Sequence, residues 1–95
     1  MPAYLIADMN VTDAAGYEEY KRLAPPAIQK YGGRYLARGG ETEILEGDWS
    51  PARLVIVEFA TLEKAKAFYD SPEYREAREA REGTGKFRMV VTEGI

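Results

Sequence analysis

Apolar residues recur at every second position in four stretches of this chain and at every third or fourth in two, in the order β-α-β-β-α-β. Side chains alternate across a strand and share one face of a helix every three to four residues, so the period names the element. The chain has 95 residues, too few for two independent cores. One domain over residues 1–95 is therefore expected. Its fold class is α+β, a ferredoxin-like sandwich with a four-stranded antiparallel sheet and two helices on one face. An open α+β sheet of another topology is the competing reading.

The first strand runs Tyr4–Met9. Thr12 or Asp13 caps a helix whose apolar positions are Ala14, Tyr17, Tyr20, Leu23 and Ala24. Pro25-Pro26 should kink or restart it, because proline lacks a donor and clashes with the preceding turn. Ala27, Ile28 and Tyr31 continue the apolar face until Gly32-Gly33 stops it. A second strand covers Arg34–Arg38 and is expected to resume over Thr42–Glu46 after a bulge at Gly39-Gly40. GDWSP makes a turn, and Arg53–Phe59 is the third strand. Thr61 caps a helix with Leu62, Ala65, Phe68 and Tyr69 inward. Ser71 and Pro72 restart it with Tyr74 inward. Lys86–Thr92 is the last strand.

Strand parity separates two faces. Leu5, Ala7, Met9, Tyr35, Ala37, Val55, Val57, Phe59, Phe87, Met89 and Val91 form one set, which suits the helices. The other set mixes Tyr4, Ile6, Leu36, Leu54, Ile56 and Val90 with Asp8, Arg34, Arg38, Glu58, Arg88 and Thr92. That much apolar surface on an uncovered face calls for a partner. Two such sheets face to face would close a barrel across a homodimer, with the charges in or beside its cavity.

Composition removes several functions. There is no Cys and no His. Disulfides, thiolate nucleophiles and the usual metal and haem ligands are thus absent. No Asp/Glu spacing resembles a Ca²⁺ loop. The expectation is no metal and no cofactor. The net charge of −3 and the lack of a basic run argue against nucleic acid. No apolar stretch reaches membrane-spanning length. MPAYLIADM does not read as a signal peptide, so a cytoplasmic protein is expected. GTGK at 83–86 enters a strand and lacks the spacing of a phosphate loop.

Three stretches carry a family resemblance: YGGRYLARGG at 31–40, EGDWSPARLVIVEF at 46–59 and AKAFYDSPEYREAREAR at 65–81. They occur in order and span nearly the whole chain. In them the sequence resembles the family called domain of unknown function 1330, one of the dimeric α/β-barrel families. The resemblance implies a ferredoxin-like protomer, a sheet-to-sheet homodimer with a central cavity, and no established activity. Relatives of that architecture include cofactor-free oxygenases, haem-degrading enzymes, muconolactone isomerases and stress-responsive proteins. Function does not follow from such a fold.

Asp8, Arg38 and Glu58 form the candidate catalytic set. One carboxylate would act as base while Arg38 holds an anionic oxygen. The alternative is a paired ion network that fixes register or dimer geometry. Tyr4, Trp49, Tyr69, Tyr74 and Arg81 are candidate ligand contacts. Trp49 would lid the cavity or pack on a subunit, and the tyrosines are equally core residues by spacing. Arg75, Arg78 and Arg81 alternate with glutamates as a solvated face, with Arg81 placed to turn back toward the sheet. Two functions compete on these residues: a cofactor-free enzyme acting on a small, partly apolar acid or lactone-like metabolite, and a non-catalytic small-molecule-binding or structural dimer.

Overall fold

The computed structural model describes every residue, Met1–Ile95. The elements are β1 (Ala3–Val11), α1 (Ala14–Lys30), β2 (Arg34–Arg38), β3 (Leu54–Phe59), α2 (Leu62–Tyr69), α3 (Pro72–Ala80) and β4 (Gly85–Glu93). The sheet order is β2-β3-β1-β4, and every neighbouring pair is antiparallel. This is the ferredoxin-like arrangement expected from the period order, not the competing open sheet. The second helix comes as two segments, α2 and α3.

Local chemistry places the helix starts. The Asp13 carboxylate accepts the Gly16 N–H at 3.0 Å, and the Thr61 hydroxyl accepts the Lys64 N–H at 3.1 Å. At the break between α2 and α3 the Ser71 hydroxyl accepts the Tyr74 N–H at 3.1 Å and donates to the Phe68 carbonyl at 2.6 Å. Ser71 thus ends one segment and caps the next, with Pro72 at the first helical position, where no donor is needed. Gly32 has φ +79°, a left-handed conformation that glycine reaches without cost. At Gly33 a Cβ would lie 2.7 Å from the Phe59 ring, so the chain passes there only without a side chain.

The parity set assigned to the helices forms the core, except for Ala37, which the bulge carries to the open face, and Val91, which is exposed. Leu5, Ala7, Met9, Val55, Val57 and Phe59 are buried against Tyr17, Tyr20, Ala24, Ala27 and Ile28 of α1 and Ala65, Phe68, Tyr74 and Ala77 of α2 and α3. Each large apolar side chain buried this way contributes about 1.5–3 kcal/mol. The Phe68 and Tyr74 rings meet at a tilt of 37° with centroids 4.3 Å apart.

Four expectations need correction. Pro25-Pro26 neither kinks nor restarts α1, which runs unbroken through both. The carbonyls they leave unbonded belong to exposed residues Lys21 and Arg22, where water can bond them. Ala24, Ala27 and Ile28 meanwhile hold both halves of the helix on the sheet. The segment Thr42–Glu46 is not a strand and is exposed throughout. Its Ile44 and Leu45 are adjacent, so they cannot share a face, and no strand lies beside it. The bulge falls between Tyr35 and Ala37, not at Gly39-Gly40. Tyr69 is not inward; it is 37% exposed at the end of α2.

Candidate functional site

Pairing lays the open face out as three rows. Arg34, Glu58, Tyr4 and Thr92 make the first, and Ala37, Ile56, Ile6 and Val90 the second. Leu54, Asp8 and Arg88 make the third. No helix covers these rows. The middle row is entirely apolar, and its Val90 is 63% exposed.

Asp8 is the best-connected charge on this face. Its Oδ1 accepts the Ala52 N–H at 3.0 Å, and its Oδ2 accepts the Trp49 indole N–H and an Arg88 N–H, each at 3.4 Å. Partial burial works against its charge. The Ala52 N–H, the Trp49 indole, Arg88 and the Arg53 N–H together more than reverse that, and the carboxyl titrates below its ordinary 3.8. Asp8 therefore remains a carboxylate at neutral pH and is a poor proton acceptor. It clasps the Trp49–Ala52 stretch of the long β2–β3 loop to the sheet. Beside the clasp lies an open depression of about 650 Å³ whose walls include Ile6, Val90, Trp49, Ser50 and Arg88.

Glu58 stands apart. It pairs with Tyr4 across the strands while Asp8 pairs with Leu54. The two carboxylates are thus four positions apart along β1, or about 13 Å. They cannot serve one reacting atom as a pair. Glu58 Oε1 accepts from Arg34 Nε at 2.7 Å, and its Oε2 makes no hydrogen bond within the chain.

Arg38 does not join either carboxylate. The bulge in β2 inverts the parity beyond Tyr35, so Ala37 pairs with Ile56 on the open face and Arg38 with Val55 on the helix face. There the guanidinium lies 4.4 Å from the Tyr35 ring centroid. The set Asp8, Arg38 and Glu58 is therefore divided between two faces. Tyr4 and Trp49 do lie on the open face, Tyr4 beside Glu58 and Trp49 beside Asp8.

Tyr69, Tyr74 and Arg81 lie on the helix side. Tyr74 is 1% exposed, and its hydroxyl meets that of Tyr20 at 2.7 Å. Burial pushes the Tyr74 phenol up, with Arg81 opposing, and pushes the Tyr20 phenol up further, with Tyr74 adding to it. Both stay neutral hydroxyls. Arg81 turns back toward the sheet, as its place at the end of α3 allows, and is buried. Arg78, read as solvated, instead stacks 4.2 Å from the Tyr69 ring and donates to the Tyr69 hydroxyl and carbonyl.

Arg88, Arg34, the Ala52 N–H and Tyr20 were not among the expected site residues. Parity does put Arg88 and Arg34 on the open face. Only the strand register shows that Arg88 stands opposite Asp8 and Arg34 opposite Glu58. No three acidic side chains converge to hold a metal ion, and no helix is long and apolar enough to cross a membrane.

The fold defines an α+β protein of the ferredoxin-like class with an open, charged sheet face. The chain belongs to the family described as domain of unknown function (DUF1330), whose model matches residues 2–95. Among solved structures it is similar to a protein of unknown function from Rhodopseudomonas palustris, with 20% identity and a TM-score of 0.74 over 99% of this chain and 82% of that one. It is also similar to SnoaB, a cofactor-independent oxygenase from Streptomyces nogalater, with 12% identity and a TM-score of 0.69 over 99% and 93% of the two chains. A dimeric protein of unknown function and ferredoxin-like fold from Bacteroides fragilis aligns at 15% identity and a TM-score of 0.63 over 98% and 96%. At these identities the likeness concerns the fold. No protein of curated function matches.

Proposed function

We propose that the protein is a sheet-to-sheet homodimer whose closed cavity binds a small, partly apolar acid. The observation that carries this reading is the uncovered row Ala37–Ile56–Ile6–Val90 across all four strands. An apolar band of that kind is stable in water when a second surface covers it. The dimeric Bacteroides fragilis protein of the same fold supports the assembly by analogy. Closing the face would roof the depression beside Asp8. Arg88, whose side chain is 75% exposed and only loosely held by Asp8, then has donors to spare for an acid, and Trp49 and Ile6 offer apolar contact. A cytoplasmic location goes with this reading; fractionation of cells expressing the tagged chain tests it.

Native mass spectrometry of the freshly purified protein tests the assembly and the ligand together. The expected result is a dimer that releases a discrete small acid on activation. Ile56→Lys should give a folded monomer that carries nothing. A wild-type monomer at micromolar concentration would overturn the reading.

A second reading, a cofactor-free enzyme acting on such an acid or a lactone-like metabolite, has one observation in its favour. Glu58 Oε2 is unengaged on the face that the dimer would enclose, which suits a general base. Under that reading Glu58→Gln abolishes turnover in a substrate screen while ligand release is retained. Unchanged turnover in Glu58→Gln would remove Glu58 from the role.

A further inference from the structure

Arg81 is a buried cation with no anion. The residue is 9% exposed, and none of the chain's ion pairs includes it. Its guanidinium lies 4.4 Å from the Phe87 ring centroid, 4.9 Å from that of Tyr20 and 5.9 Å from that of Tyr74. Its hydrogen bonds within the chain are a long one to the Tyr74 hydroxyl, 3.4 Å, and one to Met9 Sδ, 3.8 Å. Aromatic faces offset part of the cost of burying a charge. A guanidinium has five N–H donors, however, and a neutral phenol and a thioether use few of them. Buried charges are ordinarily paired.

The same guanidinium borders a cleft of about 460 Å³ on the helix side of the sheet, between α2 and β4. Its apolar walls are Ala65 and Tyr69 from α2 and Phe87, Met89, Val90 and Val91 from β4. Tyr69 and Val91 are each 37% exposed, although both lie on the side where the core is built. Lys66 and Asp70 also border the cleft. With Arg81 they leave it one positive charge in excess. The size suits a small molecule, and the lining of apolar walls with one buried polar group is that of a ligand pocket.

We propose that this cleft is a binding site for a small organic monoanion with a flat apolar body, an aryl or unsaturated carboxylate. Its carboxylate pairs with Arg81 and its body lies between Tyr69 and Val91. Asp70 disfavours a second negative charge on the ligand. The cleft shares Met89 and Val90 of β4 with the depression beside Asp8, but its Arg81, Ala65 and Tyr69 lie on the helix side and it is formed by one protomer alone. It therefore stands whether or not the chain dimerises through its open face.

Benzoate is the probe, with benzyl alcohol as its neutral counterpart, and amide chemical shifts of the wild-type protein are the readout. Benzoate should move the amides of Ala65–Asp70 and Phe87–Val91, and benzyl alcohol should not. Arg81→Gln should weaken benzoate by about 10- to 100-fold, the usual worth of a charge-assisted hydrogen bond. Arg81→Lys should fall between. If Arg81→Gln does not fold, the wild-type titration with both probes decides alone. Absent shifts at Ala65–Asp70, equal shifts with benzyl alcohol, or benzoate shifts confined to Ile6, Asp8, Trp49 and the shared Met89 and Val90 would each overturn the proposal.

Discussion

The two faces of the sheet are built from the same strands and solve opposite problems. The helix face buries Leu5, Ala7, Val57 and Phe59 under three helical segments, and it ties the Tyr20 and Tyr74 hydroxyls to each other while leaving Arg81 without an anion. The open face keeps Ile6, Ile56 and Val90 uncovered between two rows of charges. The first face holds the buried core, and the second presents an apolar row that a partner would cover. A substitution on the helix face should therefore be read in the unfolding free energy, and one on the open face in assembly or in loop motion.

The sharpest break of that contrast is Tyr74→Ala. Tyr74 is 1% exposed and packs on Phe68. Its truncation is expected to cost about 3–5 kcal/mol in denaturant unfolding. A cost under about 1 kcal/mol would mean that the helix face is not the stabilising one. Tyr20→Phe keeps the ring and removes one hydroxyl, leaving the Tyr74 hydroxyl with only the long Arg81 contact. About 1 kcal/mol is expected from the same measurement.

The smallest global effect should come from Asp8, on the other face. Its carboxyl titrates below 3.8 in the fold. Its hold on the loop is therefore complete above the unfolded value and is lost as pH falls through the lower folded one. Trp49 is the only tryptophan and donates to Asp8, so its fluorescence reports the release. The expected change in emission begins below about pH 4, ahead of global unfolding by far-UV circular dichroism. Asp8→Asn should produce the altered emission at pH 7 and shift the melting temperature less than Tyr20→Phe does. Coincidence of the two transitions would show that Asp8 supports the whole fold.

Periodicity was enough to read the four strands and the helices that form, because burial on one face imposes it directly, although it also suggested a strand over Thr42–Glu46 that does not form. The caps at Thr61 and Ser71 were equally legible, and the first was narrowed to Thr12 or Asp13, since a short oxygen side chain before a helix has a local task. The bulge in β2 was not. Nothing in RYLAR marks Leu36 as the extra residue, and the paired glycines that follow drew attention to the wrong place. That one residue moved Arg38 to the other face and divided the expected catalytic set. The partners of Asp8 escaped for another reason. Arg88 and Ala52 are 80 and 44 positions away in sequence, and only the antiparallel register brings them together. The straight α1 likewise reflects packing that overrides a local signal.

The bulge also bears on how the chain behaves at high concentration. β2 forms one border of the sheet and β4 the other. A strand of five residues, bent at Leu36 and ending in Arg34 and Arg38, is a poor template for a passing chain. β4 has nine residues without an interruption in its pairing, and only Lys86, Arg88 and Glu93 along it repel a newcomer. Fibrous growth from crowded or partly unfolded protein should then proceed from one side of the molecule, adding strands beyond β4 and leaving β2 as the terminus.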